Sequence, residues 1–141
     1  MKKIIFAGFL LLIFSGISCN AQPEKKHTAS VTSGNEVEVY YFHMKVRCVT
    51  CKAVEAEARK NIETLYAEQI KAGKISFTAL NLEESTGKAF ADKLGVNSQT
   101  LLIVKGDQKI NITNEGFLYA LSKPEKFKEI IKEKIDSLLI R

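Results

Sequence analysis

The 141-residue sequence predicts an α/β domain with a central four-stranded mixed sheet and elements in the order β-α-β-α-β-β-α. Three observations carry this. Short runs rich in β-branched and apolar residues fall at Val37–His43, Ile75–Leu82 and Thr100–Val104, as in buried strands. Segments with apolar residues three and four apart separate them, which is the spacing of one helix face. A turn, Lys105-Gly106-Asp107-Gln108, then leads from Thr100–Val104 into the alternating segment Lys109–Thr113, as in a hairpin. A β-α-β half followed by a hairpin and a terminal helix places helices on both faces of one sheet.

The elements follow in order. Residues 1–18 read as an export signal, with Lys2 and Lys3 before an apolar stretch, Ile4–Phe14, too short to span a bilayer. Ser15-Gly16-Ile17-Ser18-Cys19 resembles a bacterial lipobox, which makes Cys19 the lipidated first residue of the mature chain. Ordinary cleavage near Ala21 is the alternative. Both readings export the chain to a compartment that permits disulfides. The expected location is the periplasm or outer cell envelope, with lipid at Cys19 as the membrane anchor. Residues 19–35 read as a polar tether, in which His27 is a solvent-facing linker residue. The folded domain is expected over residues 36–141.

Val37–His43 is the first strand. After a short loop, Val54, Ala58, Ile62, Leu65 and Ile70 mark one helix running to Ala72, with Gly73 as its stop signal. Ile75–Leu82 is the second strand. Ser85 or Thr86 caps a short helix carrying Ala89, Phe90 and Leu94, ended by Gly95. Thr100–Val104 is a continuous apolar run suited to a sheet centre. In Lys109–Thr113, Ile110 and Ile112 face in. Phe117–Leu121 is one or two helical turns. Ser122 caps the last helix, with Pro124 in its first turn and a buried stripe of Phe127, Ile130, Ile131, Ile135 and Leu138.

The net charge of +5 falls to about +3 for a chain starting at Cys19, because Lys2 and Lys3 leave with the signal. Lys and Glu are interleaved along the helices. That is a solvated surface, with no stripe for nucleic acid.

Chemistry concentrates at Arg47-Cys48-Val49-Thr50-Cys51, where a strand hands over to a helix. Two cysteines three apart close a tight disulfide or hold a soft ion such as Cu(I) or As(III). In either case helical N–H groups favour the thiolate. A disulfide closing so small a loop removes little chain entropy, so its value is chemical more than structural. Lys45, Arg47 and Lys52 add positive charge around the pair. His43, at the strand end, reads first as solvent-facing; as a functional group it would move a proton or join Cys48 and Cys51 as a third metal ligand. Met44 would extend a soft copper site, though such a Met more often fills the core.

These residues resemble the thioredoxin-like superfamily. The Cys48-x-x-Cys51 pair stands where that family places its redox disulfide. Ala79-Leu80-Asn81-Leu82, Leu94-Gly95-Val96 and Thr100–Asp107 resemble its second strand, short helix and site-facing strand. More narrowly, Tyr40–His43 before Arg47–Lys52, together with Thr100–Val104, resemble the nitrophenyl compound nitroreductase subunit ArsF family. The resemblance implies thiol–disulfide exchange or electron relay, with Cys48 as the exposed sulfur and Cys51 resolving the mixed disulfide. The family label implies association with nitroaromatic reduction, but the sequence has no Gly-rich phosphate turn and little room for a flavin, so no cofactor beyond the Cys48–Cys51 disulfide is expected. Partners would be exported protein thiols and disulfides, or a membrane electron donor. A metal binder and a non-catalytic interaction module are the competing readings.

Three positions depart from the family. Gln99 stands where the family has a cis-proline beside the disulfide, so a trans bond is expected and Gln99 and Thr100 form an altered site-facing loop. Phe42 stands where the family has an acid beneath the second cysteine. Val49-Thr50 replaces the usual Gly-Pro, so no redox potential carries over.

Overall fold

The computed structural model describes residues 36–140. The expected export signal and tether, with Cys19, lie outside the described residues. Nine elements follow in order: β1 (Val37–His43), α1 (Val49–Leu65), α2 (Ala67–Lys71), β2 (Ile75–Asn81), α3 (Ser85–Leu94), β3 (Thr100–Lys105), β4 (Gln108–Asn111), α4 (Thr113–Tyr119) and α5 (Pro124–Leu139). The sheet order is β2-β1-β3-β4. β1 runs parallel to β2 and antiparallel to β3, and β4 closes the hairpin on β3. This is a mixed four-stranded α/β sheet of thioredoxin-like topology. No described helix is long and apolar enough to cross a membrane.

β1 is central, paired on both sides, with Tyr41 between Ala79 and Leu101. A strand so placed buries both faces, which explains its unbroken apolar composition. Val37, Val39 and Tyr41 point to the face covered by α1 and α5. Tyr40 and Phe42 point to the face covered by α3. On α5, Phe127, Ile131, Ile135 and Leu138 are buried and Ile130 is half-buried. Their spacing keeps one face on the core, and each fully buried side chain contributes about 2 kcal/mol by area removed from water.

Four expectations change. The long helix after the cysteines is broken at Tyr66, whose backbone (φ −128°, ψ 30°) leaves the helical region. Its side chain turns into the core, where the hydroxyl donates to Asp136 Oδ1 at 2.7 Å on α5. Neither Ser85, Thr86 nor Ser122 is an N-cap. The caps are Glu84 and Lys123, and neither side chain bonds its helix. Ser122 Oγ donates instead to the Leu118 carbonyl at 2.6 Å. β4 ends at Asn111, and Ile112 begins α4 while remaining buried. The segment expected as one or two turns near Phe117 is α4, which starts at Thr113.

Candidate functional site

The site lies where β1 ends and α1 begins. Cys48 is the N-cap of α1 and Cys51 is in its first turn. The two are joined by a disulfide, with Cα atoms 5.0 Å apart. Each sulfur accepts a hydrogen bond from the other residue's backbone: Cys51 N–H to Cys48 Sγ at 3.1 Å, and Cys48 N–H to Cys51 Sγ at 3.2 Å. The first turn of a helix has N–H groups without intrahelical partners. Here sulfur takes the place that a Ser or Thr oxygen fills in an ordinary capping box. Both sulfurs therefore already face a donor suited to a thiolate.

The two cysteines differ in access. Cys48 is exposed, while Cys51 is 7 % exposed. The loop and first helical turn that carry Cys48 also expose Met44, Val46 and Val49.

Beneath Cys51 lies Tyr41, not Phe42. Phe42 packs on the opposite face, with Tyr40, Ala91, Leu102 and Val104. Successive strand residues alternate faces, so the position nearest the cysteine falls one residue earlier than the resemblance implied. The Tyr41 hydroxyl is buried and donates to the Cys51 carbonyl at 2.8 Å. It accepts in turn from the side-chain amide of Gln99. Gln99 reaches it because Thr100, the next residue, pairs with Phe42 across β1 and β3, which puts Gln99 at the strand end beside the disulfide. The Ser98–Gln99 bond is trans, as expected. Thr100 is buried, and its hydroxyl donates to the Ser98 carbonyl at 2.9 Å. Burial pushes the Tyr41 phenol above its ordinary value. The Gln99 amide and Arg47 oppose that shift, and Glu55 adds to it.

The three cations do not act alike. Arg47 pairs with Glu55 on α1, and Arg59 joins the same carboxylate at 3.3 Å. Its charge is thus largely balanced before it reaches the sulfurs. Lys45 and Lys52 are exposed. The Lys45 backbone N–H is held by the Glu83 carboxylate, which ties the cysteine loop to the β2–α3 turn. His43 Nδ1 lies 3.0 Å from the Met44 carbonyl oxygen. Among the described residues, no group of three or more His, Cys, Asp or Glu is close enough to hold a metal ion, so His43 is not gathered with the cysteine pair.

Tyr41, Glu55 and Glu83 were not singled out by sequence reasoning. Tyr41 carried one usable signal: a buried tyrosine hydroxyl needs a partner. A cavity of about 430 Å³ opens at the far end of the sheet, between α3 and the hairpin. A second, of about 420 Å³, runs along α1 past Arg47, Lys52 and Glu55. Neither is lined by Cys48 or Cys51.

No protein-family model matches the chain, and no curated protein matches it. Among solved structures, one described as the structure of a malarial protein is 25% identical, with a TM-score of 0.40, over 53% of this chain and 75% of that one. Thioredoxin O2 from Arabidopsis thaliana, in its oxidised state, is 16% identical, with a TM-score of 0.46, over 71% of this chain and 76% of its own. The fold assignment stands on strand order and connectivity.

Proposed function

We propose that the chain is a thiol–disulfide oxidoreductase or electron relay acting through Cys48 and Cys51. The observation that carries this reading is the asymmetry of the pair: one sulfur exposed at a helix N-terminus, the other buried behind it. A partner thiolate attacks Cys48 Sγ. A partner–Cys48 disulfide forms, the Cys48–Cys51 bond breaks, and its electron pair leaves on Cys51 Sγ. A second partner thiolate then attacks the partner sulfur of the mixed disulfide, and Cys48 leaves as thiolate. The partner's two thiols become a disulfide, and the chain gains two electrons. In the reverse direction, Cys48 thiolate attacks a partner disulfide and Cys51 resolves it.

The exposed Cys48, with Met44, Val46 and Val49 also exposed in the same loop and first helical turn, suits a protein partner better than an enclosed small molecule. Residues 1–18 as an export signal and lipid at Cys19 would put that partner in the periplasm or outer envelope, with the domain tethered to the membrane. The resemblance of Tyr40–His43 and Arg47–Lys52 to the ArsF family adds a narrower proposal, that the relay delivers electrons to a reductase. Lys45 and Lys52 support the Cys48 thiolate as exposed cations, and Arg47 does so more weakly because Glu55 balances it.

The test is equilibration of the full chain with glutathione buffers, combined with a Cys51→Ser trap. A reversible two-electron transition, and mixed disulfides at Cys48 in the envelope fraction, are expected. Tight Cu(I) binding without disulfide turnover would overturn the reading in favour of a soft-metal binder. An empty trap would favour a non-catalytic interaction module.

A further inference from the structure

Resting on that reading, we infer that Tyr41 is a positioning residue for Cys51, and that Gln99 sets the direction of its hydroxyl proton. A hydroxyl has one proton to give and two lone pairs to offer. The Gln99 amide N–H occupies one lone pair of the Tyr41 oxygen. The proton is therefore aimed at the Cys51 carbonyl, 2.8 Å away. Tyr41 is 0% exposed and sits mid-strand in the central strand of the sheet, so the hydroxyl has little freedom to move.

This matters at one moment of the exchange. When the Cys48–Cys51 bond breaks, the electron pair is left on a sulfur that bulk water barely reaches. A buried anion without donors is costly. The Cys48 N–H, 3.2 Å from that sulfur, supplies one donor. The Tyr41 O–H dipole supplies a second favourable field through the peptide of the same residue, and it fixes that peptide for the return attack. The charged and titratable groups around Tyr41 are the Arg47–Glu55 pair and His43, whose ring centroid lies 6.1 Å from the Tyr41 ring. Lys52 adjoins Cys51 but is exposed, and the β3 end contributes only neutral Gln99 and Thr100.

The test reads Cys51 directly. In the reduced full-length chain, the Cβ NMR shift of Cys51 is followed against pH. Tyr41→Phe should raise the titration midpoint by a fraction of a pH unit, less than the roughly one unit a hydrogen bond made to the sulfur itself would give, because the hydroxyl bonds the Cys51 carbonyl. Gln99→Met should move it less, in the same direction. With Tyr41→Phe already present, Gln99→Met should add nothing, because it acts through the hydroxyl. An unmoved midpoint in Tyr41→Phe overturns the inference, as does a Gln99→Met shift that persists in the double variant. Should Tyr41→Phe fail to fold, Gln99→Met decides alone, and an unmoved midpoint overturns the inference. Absence of glutathione exchange in the wild type would instead sink the functional reading, whatever the titration shows.

Discussion

On one side of the sheet, Val37, Val39 and Tyr41 meet Val54, Ala58 and Ile62 of α1 and Phe127, Ile131 and Ile135 of α5 in a continuous core. On the other side, Tyr40 and Phe42 meet Ala91, Leu102 and Val104, with Leu80, Leu82, Phe90, Leu94 and Val96 half-buried around them. The disulfide is mounted on the deeper side. In the proposed exchange α1 must keep Cys51 in register with Cys48 through bond breaking, and α1 is braced by both α4 and α5. The shallow side has α3 alone. The largest expected effect tests this contrast. Phe127→Ala should cost about 4 kcal/mol, whereas Leu94→Ala, half-buried under α3, should cost about 2 kcal/mol. Urea denaturation of the two variants reads the difference. Equal losses would show that the two faces bear the fold alike.

The shallow face compensates with a close backbone contact. A Cβ built on Gly87, in the first turn of α3, would lie 1.9 Å from the Asn81 carbonyl oxygen. No rotamer relieves that, since the obstacle is main chain. Gly116 on α4 is also buried, but its added Cβ would meet Val54 Cγ1 at 3.0 Å and Phe127 Cζ at 3.4 Å. Those atoms belong to side chains that can shift. Gly87→Ala should therefore cost about 3 kcal/mol, and Gly116→Ala about 1 kcal/mol, by the usual penalty for overpacking. The same melts check both. Here the ranking of the faces reverses: the thinly packed helix depends on backbone approach, and the deeply packed one on side-chain fit.

Much of this was legible in the sequence, and what was not shares a cause. The strands and the α5 stripe could be read because burial on one face imposes a period. β1 defeated that logic. Both its faces are covered, so alternation could not say whether Tyr41 or Phe42 lay under the cysteines. The break at Tyr66 was hidden for a different reason: its partner, Asp136, is distant in the chain. The pairing of Gln99 with Tyr41 is likewise non-local. At the site itself, the cysteine pair, its helix and the cations Lys45, Arg47 and Lys52 were legible from spacing, while Tyr41, Glu55 and Glu83, which act through non-local bonds, were not.

The smallest effect lies in the Tyr66–Asp136 contact, and pH separates its parts. Tyr66 is buried against α5, its hydroxyl bonded to Asp136, which also takes Lys132 at 2.5 Å. Tyr66→Phe should cost about 1 kcal/mol at neutral pH, the net value of one hydrogen bond. Bonds from Lys132 and then Tyr66 hold the Asp136 carboxyl below its ordinary value. Its contribution is therefore fully present above about pH 3.9, the unfolded value, and is lost as pH falls through the lower folded one. The wild type and Tyr66→Phe should converge in that acid range. Burial, reinforced by Asp136, raises the Tyr66 phenol. That contribution is fully present below about pH 10 and is lost as pH rises through the folded value, so wild type should close on Tyr66→Phe in alkali and then fall below it, because Phe has no phenol to ionise. Tyr40, on the α3 face, is raised chiefly by burial as well. Tyr40→Phe should therefore flatten the alkaline loss and leave the acid side unchanged, because Asp136 keeps both its bonds. Thermal melts across pH read all three curves. An acid-side change in Tyr40→Phe would trace to Glu38, the carboxylate beside the Tyr40 hydroxyl, and would show that the acid response is not confined to the Tyr66–Asp136 contact.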